Sequence, residues 1–308
     1  MFDQEQEVCL VKLEVGRIGV ERQLTGEDAL AAFGRQVDQR VVRATKKLLQ
    51  CEEFDACNKV ANKARATVAR MAVPAPFIGG GFSLVKVAHY PAVVEALTAV
   101  RDELRIAVEK LVAVWPERVA ASMVELARNG IPIEPSEYPS AEKVAMGFSV
   151  SFSPLQFSVP EALDRIDSDA FAEAKREAET RWNSAMEEAE KALATELRSM
   201  LTRAAERLSP GEDGERKIFR DSLVDNLREF LAEAPFRNVS NSGELADACE
   251  ELKKLLGNET AESLRVSEGM RDIVRDGVEK IGRKLEDNII NRPERKVIFL
   301  NKKVGGES

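Results

Sequence analysis

Residues 160–208 read PEALDRIDSDAFAEAKREAETRWNSAMEEAEKALATELRSMLTRAAERL. Apolar side chains recur at Leu163, Ile166, Ala170, Ala174, Ala178, Trp182, Ala185, Ala189, Leu193, Leu197, Met200, Ala204 and Leu208, always three or four residues apart. That spacing lays one stripe along a helix. The mean step, about 3.75 residues, exceeds that of a heptad seam, so a partner helix in a coiled-coil-like contact runs nearly straight beside it or crosses with a slight right-handed tilt. The stretch therefore predicts one helix over residues 160–208, roughly 70 Å long, a spine for the rest of the chain. Asp164, Asp167 and Asp169 gather at its start and Arg198, Arg203 and Arg207 at its end, the distribution the helix dipole favours.

Downstream, Ser209-Pro210-Gly211-Glu212-Asp213-Gly214 is a turn signal, and Arg216 to Glu233 predicts a returning helix too short to back the whole spine. After a loop from Pro235 to Ser242, helix is expected from Gly243 to Leu256. It is expected again from Thr260 to about Asn291, interrupted at Gly269, Gly277 and Gly282. Lys296 to Leu300 is a short strand candidate that could pair with the N-terminal strands.

Upstream, Val11, Leu13 and Val15 alternate with Lys12 and Glu14, so Val8 to Leu24 predicts strand, broken into a hairpin at Gly16-Arg17-Ile18-Gly19. Thr25 caps an expected helix to about Gln50, and a second follows from Glu53 to Met71. Pro74, Pro76 and Gly79-Gly80-Gly81 make a loop, Phe82 to Tyr90 is extended, and Pro91 opens a helix through about Val114. Trp115-Pro116 marks a kink or restart, with helix resuming to Asn129-Gly130. Phe148, Val150 and Phe152 alternate with serines and predict a strand, read as a hairpin with Leu155 to Val159. The fold class is mainly α with a small β element: an elongated bundle or long helical hairpin with short β-hairpins near its base. Three segments follow: a mixed domain over residues 1–159, a helical hairpin over 160–234, and C-terminal helices with a terminal strand over 235–308.

Several chemistries find no support in the residues. His89 is the single histidine, which excludes histidine-rich metal sites, and no Gly-x-Ser-x-Gly elbow accompanies it. Phe82-Ser83-Leu84 after the glycines lacks the Lys-Ser/Thr of a phosphate loop. Cys9, Cys51, Cys57 and Cys249 have no knuckle spacing and read as small buried or half-buried thiols of a reducing compartment. No apolar run reaches the length of a membrane span, and the acidic start Met1-Phe2-Asp3-Gln4-Glu5 is unlike a secretory leader, so a cytoplasmic protein that does not enter membranes is expected. No cofactor motif is found.

The net charge of −8 argues against general affinity for nucleic acid, yet residues 40–70 hold eight basic side chains against Glu52, Glu53 and Asp55. Arg40, Arg43, Lys47, Lys59, Lys63 and Arg70 are the candidate nucleic-acid contacts. Ala170, Ala174, Ala178, Trp182, Ala185, Ala189 and Leu193 are the candidate helix-packing interface, where small residues admit a close neighbour. Phe148, Phe152, Phe157 and Trp182 read as core beneath the long helix in preference to a stacking platform.

Glu137-Tyr138-Pro139-Ser140-Ala141-Glu142-Lys143, then Phe148-Ser149-Val150-Ser151-Phe152, then Val159-Pro160, resemble a family of unknown function found in bacteriophages and bacterial mobile elements. The likeness covers about the middle half of the chain. It implies no catalytic residues. It implies a protein partner, a ring-forming AAA+ ATPase of the MoxR or cobaltochelatase kind. The reading is a non-enzymatic interaction or adaptor protein that self-associates or binds such an ATPase. The alternative is a nucleic-acid-binding accessory protein in recombination or defence, acting through residues 40–70.

Overall fold

A computed structural model describes residues 7–24, 44–210 and 221–292. They form eight α-helices and six strands, mainly α with a small antiparallel β element. The chain divides into two compact units, Met1–Ala185 and Met186–Ser308.

The first unit is a sheet covered by helices. Strand β1 (Val8–Gly16) is followed by β2 (Glu21–Gln23) and β3 (Thr45–Lys47). Helix α1 (Glu52–Met71) leads through β4 (Val73–Pro74) to β5 (Phe82–Lys86). Helix α2 (Tyr90–Arg128), the short α3 (Ala141–Gly147) and β6 (Ser149–Leu155) follow. The main sheet has the order β4-β5-β1-β6, and its neighbours all run antiparallel. Val11, Val85 and Val150 turn one face of it to α1 and α2, where they share a core with Cys57, Ala64, Leu97, Leu111 and Trp115. Each large aliphatic side chain buried there contributes about 1.5–3 kcal/mol.

Three elements differ from the sequence expectation. The N-terminal hairpin does not form: β1 pairs with β5 and β6, and β2 pairs with β3. The expected helix over residues 25–50 does not reach its end, because Thr45–Lys47 is strand; residues 25–43 lie outside the described residues. Within Phe148 to Val159 only Ser149–Leu155 is strand, so no hairpin forms there, and that strand finds its partner in β1. Local alternation selects strand geometry but not the partner strand. The Gly81 backbone, at φ +84°, accepts the Leu13 N–H (3.1 Å), a conformation open to glycine that lets the loop meet β1.

Two helix limits also move. Helix α2 runs unbroken through Pro116 to Arg128, so Trp115-Pro116 is not a restart. The long helix α4 is Ser168–Leu208, preceded by a 3₁₀ turn at Glu161–Leu163 and not by helix from Pro160. Asp167 Oδ1 accepts the Ala170 N–H (2.9 Å) and fixes that start.

The second unit is a helical bundle. The C-terminal half of α4 joins α5 (Ser222–Arg237), α6 (Gly243–Leu256), α7 (Ala261–Val266) and α8 (Glu268–Leu285). Leu197, Leu201, Leu245, Leu252, Leu264 and Leu285 form its centre. Helix α5 runs past Pro235, placed in a loop from sequence, to Arg237. Gly277 and Gly282 do not interrupt α8. A Cβ at Gly277 would lie 2.5 Å from Leu255 Cδ2, so this glycine admits close helix packing. The break falls at Ser267, whose side chain caps α8 by accepting the Met270 N–H (3.3 Å). Arg271, buried, donates to the Leu208 and Arg207 carbonyls (2.9 and 3.1 Å) and closes the C-terminus of α4. Lys296 to Leu300, the predicted terminal strand, lies outside the described residues.

Candidate functional site

The Glu137-Tyr138-Pro139 segment is a structural clasp. Lys46 of β3, its side chain 3% exposed, donates from Nζ to the Pro132 carbonyl (2.7 Å) and pairs with the Glu137 carboxylate (2.9 Å). Arg22 of β2 donates to the Glu137 carbonyl (3.2 Å), and the Trp115 indole of α2 donates to the Pro139 carbonyl (3.0 Å). Tyr138, buried, donates from its hydroxyl to Ser122 Oγ (3.2 Å), which in turn donates to the Leu48 carbonyl. Three elements thus hold one loop, and Ser140 leaves it as the cap of α3, accepting the Lys143 N–H (3.3 Å). The clasp sets where α3 lies and where β6 begins.

Between α2, α3 and the start of β6 opens a groove of about 370 Å³. Leu104, Val108, Ala145, Phe148 and Val150 give it an apolar wall, and Arg101, Arg105 and Glu109 lie along it. Arg105 pairs with Glu109 (2.8 Å), while Arg101 is exposed and has no ion-pair partner among the described residues. Met146, next to Ala145, is 83% exposed.

The groove lies at an open sheet edge. Among the described residues β6 has β1 on one side and no strand on the other. The direction of its backbone groups follows from two hydrogen bonds. Leu13 donates to Gly81, and Glu7 accepts from Val87, so odd-numbered residues of β1 turn their backbone toward β5. Even-numbered residues then bond β6, through Ser149, Ser151, Ser153 and Leu155 in the observed register. Val150, Phe152 and Pro154 therefore present their backbone groups outward. Pro154, with no N–H, occupies a position where an edge strand tolerates it.

No family model matches this chain, and no curated protein or solved structure matches it.

The candidate helix-packing stripe divides along its length. Ala170, Ala174, Ala178 and Trp182 are half-buried, whereas Ala185, Ala189 and Leu193 are buried within the single chain. Phe157 stacks on Trp182 with ring centroids 5.7 Å apart, and Phe77 of the Gly-rich loop meets both edge-on. Phe148 instead packs edge-on with Phe54 in the core of the first unit.

Of the candidate nucleic-acid contacts, Arg40 and Arg43 lie outside the described residues. Lys47 is exposed on β3, and Lys59, Lys63 and Arg70 share the exposed side of α1. Lys63 is paired with Glu103 (2.5 Å). Arg65 is exposed on the other flank of α1, two residues and so about 200° round the helix from Lys63, and Arg17 donates to Asn62 between the two flanks. Burial first and the neighbouring Arg65 second lower the pKa of Arg17 from its ordinary value. Lys46, counted from sequence among the basic residues, is withdrawn into the clasp.

Among the described residues no three His, Cys, Asp or Glu side chains group as a metal site requires, and no helix is long and apolar enough to cross a membrane. A groove of about 260 Å³ in the second unit is lined by Arg198, Thr202, Glu279 and Arg283. Its cations are matched internally, Arg198 by Glu286 (2.9 Å) and Arg283 by Glu279 (3.2 Å).

The groove beside β6 was not legible in the sequence. The serine alternation of residues 148–152 marked a strand, but its place at the edge depends on pairing with β1, more than a hundred residues earlier.

Proposed function

We propose that this chain is a non-enzymatic interaction protein that docks a partner protein in the groove between α2, α3 and β6. One observation carries the reading: an apolar groove opens at a sheet edge that no strand covers among the described residues, beside the largely exposed Met146. Apolar surface beside unpaired strand groups is the ordinary composition of a protein-docking site. The clasp holds the groove walls in place before a partner arrives, which lowers the ordering cost of binding.

The test is site-specific photocrosslinking from position 146 of the full chain in its native host. A partner captured by the wild type and lost when Ala145→Trp fills the groove supports the reading. The same captured set from both proteins refutes it. The ring-forming ATPase implied by the resemblance is the first candidate to seek among the products, with and without ATP.

A second reading, nucleic-acid binding, is favoured by the exposed cations of α1, Lys59 and Arg70 on one flank and Arg65, beside Arg17, on the other. Phosphate contacts there require binding that weakens steeply with salt.

A further inference from the structure

We infer that the groove receives its partner by strand addition, and that the added segment is an extended peptide alternating aliphatic and polar residues and carrying an acidic residue. This rests on the groove being a protein-docking site and goes on to name the geometry and chemistry of what docks.

The outward amides of β6 decide the geometry. The N–H and C=O groups of Val150 and Phe152 turn away from β1, so an incoming strand can pair with these two residues and extend the sheet beyond β6. Residues directly opposite one another in an antiparallel pair project to the same face. Side chains opposite Val150 and Phe152 therefore fall on the face that Val150 shares with α2, over Leu104, Val108 and Ala145. Side chains between them fall on the face of Ser149, Ser151 and Ser153, all exposed. Apolar residues at every second position suit the first face, and polar residues suit the other. Pro154 has no outward N–H, so the donor row of β6 ends at Phe152 and limits the pairing to a short segment.

Charge selects between occupants. Among the described residues lining the groove, Arg101 and Arg105 are cationic and Glu109 alone is acidic, and that acid is already paired with Arg105. An acidic side chain on the incoming segment meets Arg101, which is unpaired among the described residues. A second copy of this chain, adding β6 to β6, would instead bring two Arg101 and Arg105 pairs toward each other.

The probe is a display library of short random peptides selected on the purified full-length protein. Selected peptides should alternate aliphatic and polar residues and contain Asp or Glu. Their affinity should fall at least about tenfold on Arg101→Glu and on Ala145→Trp, with unchanged circular dichroism. N-methylation at alternate peptide amides, the set that donates to Val150 and Phe152, should abolish binding, while methylation of the intervening set should not. Peptides that lose affinity on Ala145→Trp but tolerate both methylation sets overturn strand addition and leave the docking groove standing. Peptides insensitive to Ala145→Trp overturn both. A dimer in solution that Ala145→Trp dissociates assigns the groove to a second copy and overturns the acidic-peptide assignment.

Discussion

Removing the Glu137 carboxylate isolates a buried lysine. The Lys46 side chain is 3% exposed and Glu137 is 24% exposed, with both carboxylate oxygens 2.9 Å from Nζ. Breaking a buried pair from one side costs about 3–5 kcal/mol, because the surviving charge stays desolvated. The Pro132 carbonyl still accepts from Nζ, and water reaches the Glu137 side, so Glu137→Ala should cost about 3 kcal/mol, the low end. Lys46→Met keeps the apolar stem and leaves the carboxylate with the Glu134 N–H (3.0 Å) and solvent, so about 1–2 kcal/mol is expected. The double variant should cost clearly less than the two singles together, with a coupling of at least about 1 kcal/mol. Both tryptophans, Trp115 and Trp182, lie in the first unit, so intrinsic fluorescence during urea unfolding reports the unit that holds the pair. Additive single effects, with coupling under about 0.5 kcal/mol, would refute the buried pair. The clasp orients α3, so Glu137→Ala should also weaken partner capture from position 146, through geometry and without touching the groove.

Arg271→Met removes the donor to the last carbonyls of α4 and should destabilise the second unit by about 2–4 kcal/mol, read by hydrogen exchange at residues 245–285. Burial pushes the Cys57 and Cys249 thiols up to about 11 from an ordinary 9.0. The folded state thus holds these thiols protonated after the unfolded chain has begun to ionise. Their contribution is intact below about pH 9 and is lost progressively toward pH 11, a decline that Cys57→Ala with Cys249→Ala should flatten in urea titrations. Native protein should also resist alkylation at Cys57 at neutral pH. If nucleic acid binds α1, Lys59→Glu with Lys63→Glu should reduce the slope of log affinity against log salt by about 2, and a salt-independent signal in a filter assay would remove that reading.

Helix periodicity was legible along most of the chain because an amphipathic helix is a local object. The stripe from Ala170 to Leu208, the Pro91 start, the Asn129-Gly130 stop and the Gly243–Leu256 helix all rest on contacts between residues a turn apart. Alternation at Val11, Leu13 and Val15 and at Phe148, Val150 and Phe152 likewise marked strands. Sequence alone thus determined the fold class and the principal elements. Tertiary structure decided how strands pair, because period-two alternation says which face is buried and nothing about the neighbour. It placed β1 between β5 and β6, left β6 at the edge among the described residues, and made Thr45–Lys47 a strand by pairing it with β2. It also drew Lys46 out of a basic stretch into the clasp. The groove beside β6 belongs to this second class: its wall comes from α2, α3 and β6, and only their packing brings Arg101, Ala145 and Val150 to one place.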